Sequence, residues 1–309
     1  MTTPALDTWT VTRRRIPWEA ASSRGAVLPL GRNVYHDSRN LAFPWQRQAR
    51  TLTSQMWTRH IPILDQGQVG SCTGNAETGA LGCDPDFGAL PVAYGPGGHE
   101  ALNEALALRI YSDAESIDGD GPYPPNDNGS TGPSAAKAAM KMGLISGYLH
   151  CLSLADVLDA LEEHPVCIGS NWYDSMDRPD SNGLVSISSG ASIRGGHEYL
   201  ARGKDMDAQV VHFDNSWGTS FGVQGSFSYS FATLERLLGE QGDGTVSLPL
   251  TAPVPTPVPV PPKPVPVPGQ DPADVTLHQQ TMAWTQEHHV GQNAAVARDL
   301  KHWFTAKGF

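Results

Sequence analysis

Residues 66–75 read QGQVGSCTGN, and the fold turns on how Cys72 is taken. Free cysteine is among the most buried residue types and by default packs as a small hydrophobe. At the mouth of a helix it behaves differently, because the dipole and the unpaired amides of the first turn favour thiolate over thiol. Gly67, Gly70 and Gly74 permit a tight, exposed loop here, and the spacing over 73–81 predicts a helix directly after Cys72.

A nucleophile needs a base, and the base needs an orienting group. Downstream, RGGHEYL puts His197 at the start of a predicted strand, behind Gly195 and Gly196, which let another chain approach closely. HFDNSWGTSFG puts Asn215 at the end of the next strand, with Trp217 beyond it to keep water off a hydrogen bond. Between these motifs the periodicity changes. Helical spacing covers 100–117, 134–142 behind Pro133, and 154–161 behind Ser153 as cap. After Val166, β-rich runs take over (VCIGSNW, GLVSIS, EYLARGK, QVVHFDNSW, GSFSYSF), separated by Gly, Asn and Asp turns. A helical N-terminal half followed by a β-rich half is an α+β arrangement with a cleft between them.

QGQVGSC, GGHEYL and DNSWGTSFGVQGSF, in that order, resemble the papain-like cysteine peptidases, whose Cys, His and Asn follow one another in this sequence. His197 lies 125 positions after Cys72 and Asn215 a further 18 on, close to that plan, and the resemblance covers residues 61–250. It implies that Cys72 is the nucleophile, His197 its proton partner and Asn215 the residue that fixes the imidazole. It implies too that Gln66 supplies an oxyanion-hole amide beside the Cys72 N–H, and that Trp217 shields the pair. Gly129, in DNGSTG, matches the strand that hydrogen-bonds an extended substrate, and Gly196 lines the same cleft. Thr73 stands where the family usually has an aromatic residue, and Val69 replaces a cysteine that secreted members pair in a disulfide. These departures are similar to compact bacterial and phage members. The activity implied is endopeptidase hydrolysis of a peptide or protein substrate through a thioester, with no cofactor and no metal. Two rival readings keep the fold: an amidase or transferase acting on another amide such as a peptidoglycan crosslink, and a structural or binding module of a virion.

Charge and composition complete the layout. Residues 1–60 hold nine arginines, no lysine and three acids, a net of +6, whereas the other 249 residues carry −17. This basic arm is expected to lie along the acidic body through anchors such as Leu30, Val34 and Trp45, bracing it and leaving Cys72 accessible, rather than binding nucleic acid. The peptidase domain is assigned to 61–251 and a Pro-rich spacer to 252–270. Nine prolines in the sixteen positions 253–268 set a polyproline II spacer of roughly 50 Å. Residues 271–309 are read as a short helical attachment segment for a protein partner. No apolar run is long enough to span a membrane and no Sec-type leader follows Met1, so the expected location is cytoplasmic or virion-associated. Cys83, Cys151 and Cys167 read as core thiols, His99, His150, His164 and His212 as ordinary positions, and the acids of DAESIDGDGPYPPNDNG as a solvated loop. His288 and His289 lack the further ligands a metal site would need.

Overall fold

The computed structural model describes residues 28–34, 42–251 and 257. The chain divides into two units, Met1–Val258 and Pro259–Phe309, and the described residues all belong to the first. The attachment segment expected at 271–309, and the spacer apart from Pro257, lie outside them.

The helical half holds α1 (Cys72–Leu81), the short α2 (Asp86–Ala89), α3 (Glu104–Asp118) and α4 (Gly132–Lys141). Their ends carry the expected chemistry. The Asn103 side chain accepts from the amides of Ala105 and Leu106, and α3 stops at Gly119 in the left-handed region (φ 84°). Thr131 caps α4, with Pro133 in its first turn. All ten residues of α1 are buried, so it has no solvent-exposed face. Its small residues allow close packing: a Cβ on Gly74 would stand 2.2 Å from the Ala107 carbonyl oxygen of α3. Gly74 therefore serves helix packing and not the loop in which the sequence pattern put it.

The β-rich half is a seven-stranded antiparallel sheet. Its order is β2 (Gly147–Cys151), β7 (Asp243–Leu248), β3 (Val166–Tyr173), β4 (Ile193–Asp205), β5 (Val210–Asp214), β6 (Ser226–Ser230), and the two-residue β1 (Gln55–Met56) adds to β4. Helices α5 (Leu154–Ala160), with a Ser153–Asp156 capping box, and α6 (Phe231–Gly239) accompany it. Two expectations shift. Strand β4 begins at Ile193, four residues before His197. GLVSIS forms no strand; Leu184 makes one isolated bridge to Ser228, because Asp180 ties the amides of Asn182 and Leu184 into a turn instead.

Two cores result. Trp172, Tyr199, Phe213, Phe227 and Tyr229 pack with α5 and α6, and Leu81, Leu106, Ile110 and Leu144 join α1, α3 and α4. A small third cluster, Ala76, Ala80, Cys83, Cys167 and Leu200, welds α1 to β3 and β4. Every residue of β3 is buried, so both faces of the strand are covered, its polar Ser170 and Asn171 included. All four cysteines are free and buried, as expected for core thiols at three of them.

Candidate active site

Cys72 is the first residue of α1 and wholly buried. The backbone amides of Glu198, Gly31 and Thr73 face its sulfur, which puts the thiol one residue along β4 from His197. The His197 Nε2 lies 2.8 Å from Asn215 Oδ1. That oxygen also accepts from the Ser216 amide at 2.8 Å, so Nε2 carries the proton and Nδ1 is left as the basic atom. Nδ1 has no hydrogen-bond partner among the described residues. Trp217 lies flat on the imidazole, ring centres 4.4 Å apart and planes 14° apart. The Gln66 carbonyl Oε1 accepts from Ser216 Oγ at 2.6 Å and its Nε2 donates to the Val69 carbonyl at 2.8 Å, which holds the side-chain amide at the loop leading to Cys72. Cys72, His197, Asn215, Gln66 and Trp217 are thus brought together, with Gly196 and Gly129 on the walls of the same groove.

The arm does not leave this groove open. Residues 28–34 run through it. Ser130 N–H donates to the Gly31 carbonyl at 2.8 Å, Asn33 N–H to the Ser130 carbonyl at 2.7 Å, and Arg32 N–H to the Gly196 carbonyl at 3.0 Å. Asn33 Nδ2 donates to the Asn128 carbonyl at 2.9 Å, Trp217 Nε1 to the Pro29 carbonyl at 3.1 Å, and Arg194 Nη2 to the Leu28 carbonyl at 2.8 Å. The space left, about 320 Å³, is walled on one side by residues 29–33 themselves. The expectation of an accessible thiol is corrected: backbone groups, not charge alone, draw the arm in. The expected bracing also occurs, further along. Arg47, Arg50 and Arg59 pair with Asp156, Asp159 and Asp214, and Trp45 Nε1 donates to Asp159.

Burial sets the protonation state. It pushes the Cys72 thiol up to about 12, with Glu198 adding in the same direction and the three facing amides opposing. His197 is driven down to about 3 by burial, against the pull of the Asn215 bond, and Arg194 lowers it further. Under the arm the pair is a neutral thiol beside a neutral imidazole, because neither charge is solvated there.

Sequence reasoning missed the support behind Gly129. The acids expected in a solvated loop are partly inward. The fully buried Tyr111 hydroxyl donates to Asp127 at 2.6 Å, lies 3.1 Å from Glu115 Oε1 and accepts from the Gly129 amide at 2.9 Å. Asp127 also accepts from Gly70 N–H at 3.0 Å, and Asp118 from Ser130 and Ser134. These carboxylates tie the loop before Cys72 to the segment at Gly129, which forms no strand beyond the single bridge of Ser130 to Arg32. Tyr111 sits on the helical pattern of α3 and is indistinguishable there from a core aromatic. Arg32 and Glu198 were missed too; the flanking LPLG and NVY, a peptide-like apolar run around one arginine, were the available signal.

The architecture matches that of xylellain, a cysteine protease from Xylella fastidiosa, with a TM-score of 0.57 at 18% identity, over 74% of this chain and 99% of that one. The fold is papain-like. Digestive procathepsin L 3 of Tenebrio molitor larval midgut aligns with a TM-score of 0.48 at 17% identity, over 68% of this chain and 74% of that one. The Amb a 11 cysteine protease, a ragweed pollen allergen in its proform, aligns at 0.45 and 15% identity, over 75% and 71%. No protein-family model and no curated protein matches the sequence. Cys72 at the start of α1 and His197 on β4 lie beneath the arm, and Gly129 and Gly196 line the space beside it.

Proposed function

We propose that this chain is a cysteine endopeptidase of the compact bacterial or phage kind. One observation carries the reading: the groove over Cys72 already holds an extended polypeptide, residues 28–34, through main-chain hydrogen bonds to Ser130 and Gly196. Backbone recognition of that kind suits a peptide or protein substrate. With the groove open, His197 Nδ1 takes the Cys72 proton and the thiolate attacks the substrate carbonyl. The Gln66 amide and the Cys72 N–H stabilise the oxyanion, and a fixed donor there is worth about 3 kcal/mol of barrier. The imidazolium then protonates the leaving amine, and water activated by the same nitrogen hydrolyses the thioester. Asn215 keeps the ring in the required tautomer throughout. Residues 271–309 would attach the enzyme to a protein partner, in the cytoplasm or on a virion; no described helix is long and apolar enough to cross a membrane.

The complete burial of Cys72 favours a second reading, a binding module whose groove is filled by its own chain. A Gly31→Ala variant separates them: it should cleave an unfolded protein substrate and lose that activity on Cys72→Ala. No cleavage, with the thiol reactive, would favour the module; release of peptidoglycan fragments instead would favour the amidase.

A further inference from the structure

Beside Cys72 the groove has a side pocket, and an arginine fills it. The Arg32 side chain is 2% exposed. Its Nη2 donates to Asp243 Oδ1 at 2.5 Å and to the Gln241 carbonyl at 3.0 Å. Gln241 has φ 71°, a left-handed conformation uncommon for any residue but glycine, and this turn presents that carbonyl to the guanidinium. Glu198, next to His197 on β4, is 1% exposed, and its Oε2 has no hydrogen-bond partner among the described residues; nor has Arg32 Nη1.

The pocket exists because two positions lack side chains. A Cβ on Gly169 of β3 would stand 2.4 Å from Arg32 Nε, 2.7 Å from Glu198 Oε2 and 3.0 Å from Asp243 Oδ1. A Cβ on Gly132 would stand 2.3 Å from Glu198 Oε1 and 2.8 Å from Thr245 Oγ1. A fully buried carboxyl beside a second, partly exposed one is costly without a cation between them: burial and Asp243 push Glu198 up to about 8, and Arg32 pulls it back. An apolar occupant would leave that cost standing. An ammonium offers a compact point charge, whereas the planar fork of a guanidinium reaches a carboxylate and a carbonyl together, as here.

Resting on the peptidase reading above, we propose that the Glu198–Asp243 pocket selects a guanidinium, so that the substrates are peptides carrying arginine next to the residue that lies on Cys72. Arg32 holds the place of that substrate arginine, and Glu198, Asp243 and the Gln241 carbonyl are the specificity-determining groups.

The test uses full-length Arg32→Ala, with full-length Gly31→Ala as a second way of opening the groove should the first misfold. Cys72 labelling is timed with two epoxysuccinyl peptides that differ only in arginine or leucine at the pocket position. Charge-assisted recognition predicts that the arginine probe reacts at least about tenfold faster. Adding Glu198→Gln and Asp243→Asn should abolish or reverse that ratio. Equal rates, or a faster leucine probe, overturn the proposal. If neither probe labels Cys72, the peptidase reading fails, and the pocket is decided by the melting temperature of Arg32→Ala in N-butylguanidinium against n-butylammonium. A rise with the guanidinium alone supports the pocket; no difference overturns it.

Discussion

Gly31 of the arm lies so close to Gly70, two residues before Cys72, that a Cβ on Gly31 would stand 1.8 Å from the Gly70 carbonyl oxygen. The closed groove is therefore conditional on the absence of a single methyl group. That contact is backbone against backbone, so neither side can swing away as a long side chain could.

Gly31→Ala should open the groove. An overpacked contact of this kind costs about 2 kcal/mol, which multiplies the open population about 30-fold. Iodoacetamide labelling of Cys72 should accelerate by a similar factor. An unchanged rate would mean that the arm does not gate the thiol.

The two states should differ in pH response. In the closed chain burial holds Cys72 near 12 and His197 near 3, so alkylation should be slow at and below neutral pH. The open Gly31→Ala chain re-solvates the pair, and rapid alkylation should persist well below pH 7 until His197→Ala removes it. The same His197 shift is a stability statement. Its folded pKa is depressed, so its contribution is present above the unfolded value near 6.5 and lost as pH falls toward 3, where only the unfolded chain takes up the proton. Alkylation of the closed chain as fast at low pH as that of the open one would refute the account.

Glu77, fully inside α1, tests burial without touching the groove. Burial raises its carboxyl to about 7, while two contacts from Ser247 Oγ, at 2.7 and 2.9 Å, oppose that. The folded chain keeps this proton longer than the unfolded one, so stability is lost as pH rises from the unfolded value of 4.5 through about 7. Glu77→Gln removes the penalty, and urea titrations should show it gaining about 3 kcal/mol over wild type between about pH 5 and about pH 8. An equal difference at both pH values would show that Glu77 ionises freely.

Tyr111→Phe should loosen the segment at Gly129. The Gly129 amide loses its acceptor and Asp127 its donor, costing about 1–3 kcal/mol of stability. In the Gly31→Ala background this should raise KM for peptides with kcat largely kept, since the hydroxyl supports the groove wall and not the thiol. A fall in kcat alone would assign it a different role.

A chain ending at residue 251 should keep its fold and its groove. The sheet is complete at Leu248, whose carbonyl accepts from the Ser146 amide at 2.9 Å. Its melting temperature should match that of the full chain, with only partner association lost; a large drop would show that 252–309 pack on the body.

The candidate site was legible in the sequence because each member sits inside a short motif with its own local requirement. Cys72 opens a helix, His197 follows two glycines in a strand, and Asn215 directly follows another, two residues before Trp217. Helix caps at Thr131 and Ser153 were equally local. Strands β2 and β7 escaped because they pair with each other across about a hundred residues, Gly147 with Leu248. Nothing in the pattern around either strand specifies its partner. The arm shows the same division. Its charge of +6 and its apolar anchors predicted docking on an acidic body, and its ion pairs to Asp156, Asp159 and Asp214 agree. Where it docks was decided by main-chain groups and by empty volume at Gly31 and Gly169, which carry no sequence signature beyond the letter for glycine, and at Gly196, where the sequence showed only that some chain could approach. Sequence alone determined the candidate set of Cys72, His197 and Asn215. Only the tertiary structure decided that the chain covers it, because protonation and access follow from burial, and burial is created by contacts between residues far apart in the chain.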